Sequence, residues 1–225
     1  MQEEPMNDGF RPFFHDVPPI LMKEPLAETL GAVGADQALS YSFTDLVKLA
    51  GHACPTMAGA YLACQAALRA LYGETVPVRG SIAVTVYGEP DEGTFGVMAA
   101  AFTLLTGAAP ATGFKGLGPQ FKRKDLLTFS RESPDPRSLC FEFRRVDTGR
   151  SVLVKFAPRA IPFAAEKSRR MAELMEKVVW DAARPEERAE FQELWMEKVR
   201  IMLVEKRQID EWLNVTELDL TERSA

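Results

Sequence analysis

Between Pro55 and Gly73 runs Thr56-Met-Ala-Gly-Ala-Tyr-Leu-Ala-Cys-Gln-Ala-Ala-Leu-Arg-Ala-Leu-Tyr72, nearly all of it small or apolar. The run predicts a long helix that opens at a proline, stops at a glycine and packs closely on its neighbours. The next segment has a different period. Ser81-Ile-Ala-Val-Thr-Val86 alternates and is rich in Val and Ile, as strands are. Thr94 to Thr106 has Val97, Met98, Ala101, Phe102 and Leu105 at helical spacing before Gly107, which predicts a second buried helix.

Three more strand-like segments come next, Leu126–Phe129, Leu139–Arg144 and Ser151–Phe156, the last two joined as an antiparallel hairpin by Asp147-Thr-Gly149. Helices followed by adjacent strands predict an α+β fold, an antiparallel or mixed sheet packed against helices, rather than strict βαβ winding. From Ala164 the chain becomes densely charged with two apolar stripes, one through Met171, Leu174, Met175 and Val178, the other through Phe191, Leu194, Trp195 and Val199. Pro185 sits at the start of the second, so the expectation is a C-terminal helical hairpin.

The organisation expected is therefore a Pro-rich arm over 1–41 lying extended against the body or a partner chain, an α+β core over 42–162, and a helical hairpin with a tail over 163–225. Ser42 and Thr44 are candidate caps for a short helix that stops at Gly51. With 225 residues, 46% apolar and 26% charged, the chain can bury one large core without disulfides or a structural metal. The net charge of −5, with Lys and Arg scattered among the acids, offers no basic stripe for a phosphate backbone, which argues against nucleic acid as a partner. Composition excludes a membrane span. The amino terminus, Met1 to Gly9, is acidic where a secretory signal would be basic, and the three cysteines are far apart, so a cytoplasmic protein is expected.

The chemistry concentrates in Gly51-His52-Ala53-Cys54-Pro55. Pro55 at the first helical position puts Cys54 at the N-cap, where free backbone amides and the helix dipole favour an anion such as a thiolate. His52, two residues away, could share a metal ion with that sulfur or exchange a proton with it. The same residues also read as turn fillers between two helices. A metal would need further ligands, for which Cys64, Cys140, His15, Glu89, Asp91 and Glu92 are the candidates. Cys64 and Cys140 read as buried structural thiols, and Glu89, Asp91 and Glu92 as a solvated turn. A glycine-rich segment from Gly113 through Gly116 and Gly118 ends in Lys122-Arg123-Lys124, either an anion-binding loop or the solvated entry to a strand. It matches no Walker or dinucleotide fingerprint.

These pieces, in order, resemble the E-subunit family of formylmethanofuran dehydrogenase: Gly-His-Ala-Cys-Pro, the helix with Gly59 and Tyr61, the helix ending Leu104-Leu-Thr-Gly107, the basic strand entry, and Phe141-Glu-Phe-Arg-Arg-Val-Asp-Thr-Gly-Arg-Ser-Val152. The likeness runs from about Ser42 to Val154. The resemblance implies an α+β homodimer with a metal or active-site cleft at the motif, in one-carbon or molybdenum metabolism. It makes His52 and Cys54 the leading ligands of zinc or another divalent transition metal, and Lys124, with Lys122 and Gly116, the contacts of a small anion or cofactor. This chain lacks the Cys and Asp that the family often carries around the helix ending in Leu-Thr-Gly, so it either has lost the metal or uses Glu89, Glu92 or Cys64 instead. With no cysteine after Cys140, it would be a form without the zinc finger that some members add. Two other readings stand beside this one: an enzyme with Cys54 as a metal-free nucleophile and His52 as its base, and an accessory or carrier module docking a larger complex.

Overall fold

The computed structural model describes residues 8–218; the first seven residues, on which the reading of the amino terminus rests, and the last seven of the expected tail lie outside them. The Pro-rich arm is more structured than an extended strap. Pro12–Phe14 forms a single 3₁₀ turn, β1 (Ile20–Lys23) pairs antiparallel with β2 (Ala38–Tyr41), and α1 (Pro25–Thr29) lies between them. Pro12 and Pro25 each open a turn, where a missing amide hydrogen leaves no bond unmade. Phe14, Val17, Ile20 and Met22 are buried. An edge-to-face chain of rings, Phe14 on Phe43 at 5.0 Å and Phe43 on Tyr61 at 5.8 Å, fixes the arm to the next two helices.

Those helices are α2 (Phe43–Ala50) and α3 (Pro55–Tyr72). Ser42 caps α2 as expected, the Asp45 carboxylate accepting from both its backbone N–H and its hydroxyl at 2.8 Å. β3 (Ile82–Tyr87) and α4 (Phe95–Thr106) follow, then a two-stranded turn of β4 (Gly116–Leu117) and β5 (Phe121–Lys122). β6 (Leu127–Ser130), β7 (Leu139–Arg145) and β8 (Ser151–Phe156) complete the central run. The C-terminal helical hairpin is α5 (Ala165–Val179) and α6 (Pro185–Arg200). A π turn over Ile201–Glu205 leads from it to α7 (Ile209–Trp212) and β9 (Leu213–Leu218).

The main sheet has the order β6-β3-β7-β8-β9, antiparallel except for the parallel pair β3·β6, and the fold is α+β with a mixed sheet. Its helix-facing row is set by alternation: Val84 opposite Phe143, Val86 opposite Phe141, and Val154 opposite Val215. Phe102 of α4 meets Phe141 and Phe143 edge to face at 4.9 and 5.1 Å. On α3, Gly59 lies against the Phe156 ring, which fills the space a Cβ would need. The tail contributes what its charge pattern does not show: β9 adds a fifth strand beside β8, anchored by buried Trp212, whose Nε1 donates to the Arg207 carbonyl at 2.9 Å.

A buried ionic cluster ties four distant segments together. Glu24, 6% exposed at the end of the arm's first strand, accepts from Arg79 at 2.7 Å and also from Arg123. Arg79 donates as well to the Leu104 carbonyl, one of the last of α4, at 3.0 Å. Desolvation lowers the pKa of Arg123, and its partnership with Glu24 works against that shift. Among the described residues no helix is long and apolar enough to cross a membrane.

Candidate functional site

Gly51 ends α2 in the left-handed region at φ 73°, which turns the chain sharply into the motif. Cys54 then takes extended backbone, φ −152° and ψ 167°, and occupies the N-cap of the 18-residue helix α3, with Pro55 at the first helical position. Its Sγ accepts a hydrogen bond from the Met57 N–H at 3.4 Å, one of the helix's orphan amides. The residue is 7% exposed. His52 is exposed, and its Nδ1 stands 3.0 Å from the Ala50 carbonyl. With the proton on Nδ1, that atom donates to Ala50 and Nε2 keeps its lone pair, the arrangement common in metal-ligating histidines. Between the two, the Ala53 carbonyl accepts a 2.8 Å hydrogen bond from Trp195 Nε1 of α6. No hydrogen bond joins His52 to Cys54 among the described residues.

Glu89, nominated as a third ligand, is ion-paired with Arg131 in the loop after β3 and is not brought to His52 and Cys54. Among the described residues no three His, Cys, Asp or Glu side chains gather as a metal cluster. Cys64 is fully buried in α3, and burial pushes its thiol up. Cys140 is buried on β7 beside the Asp135 carbonyl, and desolvation raises its thiol too. His15 pairs with Asp8 at 3.4 Å.

The basic triplet is split by the strand period. Lys122 points to solvent, Arg123 turns inward to Glu24, and Lys124 is half-buried. Gly116, at φ 92°, is a glycine because the Phe121 carbonyl passes where its side chain would be. A cleft of about 1050 Å³ does open beside the glycine-rich segment, with Gly113 on its wall, but Gly116, Lys122 and Lys124 are not on it. It runs along α4 and is lined chiefly by apolar side chains, among them Leu49, Ala100, Leu104 and Phe129. Sequence reasoning missed this cleft, the Glu24 cluster and the hydrogen bond from Trp195 to the motif. A helix with no polar face, Phe95–Thr106, was its one local signal.

The donor types present, an imidazole nitrogen and a sulfur, suit a borderline-soft ion such as zinc, but a closed zinc centre needs four ligands and a catalytic one three from the protein. The described chain supplies two. Two donors are fewer than either kind of centre needs, so the described residues do not by themselves make a zinc site.

Fold and motif together define a two-layer α+β protein with a His-x-Cys-Pro junction between two packed helices. The family model described as FmdE, molybdenum formylmethanofuran dehydrogenase operon, matches residues 49–209, well over half of the chain. The chain belongs to that family. No curated protein matches it.

Proposed function

We propose that this protein is a homodimeric accessory protein of the formylmethanofuran dehydrogenase type that holds a zinc-class ion, or a metal-bearing cofactor, through His52 and Cys54. The remaining positions are filled by groups the single chain does not supply. The observation that carries this reading is the pairing of an N-capping sulfur, bonded to the Met57 amide, with an exposed imidazole whose Nδ1 is engaged by Ala50. Both donors are held by backbone: α3 fixes the sulfur, and the Ala50 carbonyl fixes the ring. A metal so placed supplies Lewis acidity toward a small anion. The metal-free nucleophile has less support, because no hydrogen bond couples the imidazole to the sulfur.

Titration with cobalt(II) tests the assignment. The wild-type protein is expected to develop sulfur-to-cobalt charge-transfer absorption that Cys54→Ser abolishes and His52→Ala weakens or shifts. A cobalt spectrum indifferent to both substitutions, or no binding, overturns it.

A further inference from the structure

Two of the three tryptophans have a structural partner. Trp195 donates to the Ala53 carbonyl and Trp212 to the Arg207 carbonyl. The third, Trp180, caps the end of α5 in the turn of the C-terminal hairpin, and its indole makes neither a hydrogen bond nor a ring contact among the described residues. It is 77% exposed, and Val179 beside it is 67% exposed. An aromatic left in water contributes little to the fold, and tryptophan is the residue most enriched at the energetic centres of protein interfaces.

Trp180 forms one wall of a hollow of about 530 Å³ whose other walls are Glu173, Glu176, Lys177 and Ala182. Glu173, Glu176, Lys177 and Trp180 fall at i, i+3, i+4 and i+7, on one face of the helix. The charges on this face do not balance. Lys177 is taken by the buried Glu187 carboxylate at 2.5 Å. Arg170 is held by Glu190 through hydrogen bonds of 2.9 and 2.6 Å, and reaches Glu173 only at 3.5 Å. Glu176 has no ion-pair partner among the described residues. The hollow also lies at the C-terminal end of a 15-residue helix, the negative end of its dipole. An indole face, two under-neutralised carboxylates and a helix C-terminus all favour a cation.

A guanidinium meets these features at once, since its plane stacks on the indole while its edge donates to a carboxylate. A membrane surface or a nucleic acid carries the wrong sign for this tip. A second copy apposed tip to tip would set like charge against like. The exposed Val179 calls for apolar cover, which a polypeptide supplies and a free small cation lacks. We infer that the tip of the C-terminal hairpin is a docking site for a basic, arginine-bearing segment of a partner protein, with the guanidinium on Trp180 and its charge met by Glu176 and Glu173. The inference goes beyond the metal reading and does not depend on it.

Isothermal titration calorimetry of the full chain with acetyl-Leu-Arg-Leu-Arg-Leu-amide, at physiological salt, tests this. Saturable binding is expected, and it is lost when citrulline, a neutral isostere, replaces arginine. Trp180→Ala is expected to weaken binding about tenfold and Glu176→Gln about threefold, while Trp180→Phe, which keeps a ring, loses less than Trp180→Ala. Both positions are exposed, so each variant should melt with the wild type and the loss is read as binding. No binding, or binding indifferent to Trp180→Ala, overturns the inference. Free arginine that binds as tightly as the peptide makes the hollow a small-molecule site and overturns the docking. A Trp180→Ala variant that sediments at a lower mass than the wild type assigns the tip to a second copy and overturns it too. Metal binding through His52 and Cys54 is read separately by cobalt and is untouched by any of these results.

Discussion

Trp195 of α6 donates a 2.8 Å hydrogen bond from its indole nitrogen to the carbonyl of Ala53, the residue between His52 and Cys54. The C-terminal helical hairpin therefore fixes the centre of the candidate site from 142 residues away. Trp195→Phe keeps a ring in place but leaves that carbonyl without its donor. The expected loss is about 1 kcal/mol of unfolding free energy by urea titration, with faster alkylation of Cys54 as the loop loosens. Unchanged stability and unchanged alkylation would mean that the contact does not hold the motif.

The N-cap role of Cys54 can be separated from any role as a ligand. Cys54→Ala removes the acceptor of the Met57 amide and should cost about 1 kcal/mol, whereas serine is itself a good N-cap, so Cys54→Ser should melt at or above the wild-type temperature. Thermal melts of the three proteins, side by side, make the comparison.

Glu24 stands between two arginines, one of them, Arg123, 3% exposed. Glu24→Gln leaves both cations without their counter-charge in the interior. Breaking one partner of a buried ionic group typically costs roughly 3–5 kcal/mol, and a loss of that order is expected in the urea midpoint. A change within 0.5 kcal/mol, about the scatter of an ordinary surface substitution, would show that the cluster is solvated in solution.

Gly59→Ala places a methyl group in the Phe156 ring, which is packed against Trp212 and cannot retreat freely. Overpacking of this kind costs about 1–3 kcal/mol. The same substitution at Gly73, where a Cβ meets nothing but the backbone lies at φ 59° and ψ −122°, acts through backbone strain alone, at about 1–3 kcal/mol.

Acid should loosen the helical hairpin first. The side chains of Arg184 and Lys177 hold the Glu187 carboxyl down from the usual 4.5 to about 2. A depressed carboxyl pKa favours the folded state above about 4.5, and that contribution is lost as the pH falls from 4.5 toward 2. Amide protection in α5 and α6, taken relative to the intrinsic exchange rate at each pH, is expected to fall over this window in the wild type and to fall less in Glu187→Gln.

The parts of this architecture that follow from local rules were legible in the sequence. Ser42, Pro55, Gly73 and Gly107 mark helix ends through capping and backbone conformation, and Asp147-Thr-Gly149 marks the β7–β8 hairpin, because each acts within a few residues. Cys54 at the N-cap follows from the same reasoning. What escaped was non-local. Nothing near Glu24 announces Arg123, 99 residues on, and nothing in the charged tail announces that Leu213–Leu218 adds a strand to β8. Nor does the Lys-Arg-Lys triplet show which of its members turns inward until β5 and its neighbours set the strand period. Glu89 had the right chemistry for a ligand, but its position in the loop gives it to Arg131.

Joint metal binding by His52 and Cys54 is tested most directly by equilibrium dialysis of the full chain against zinc. Wild-type protein should retain zinc, and Cys54→Ser, melting at the wild-type temperature or above, should lose it, as should His52→Ala. Equal zinc retention by wild type and Cys54→Ser would contradict the assignment and reduce the sulfur to a helix cap.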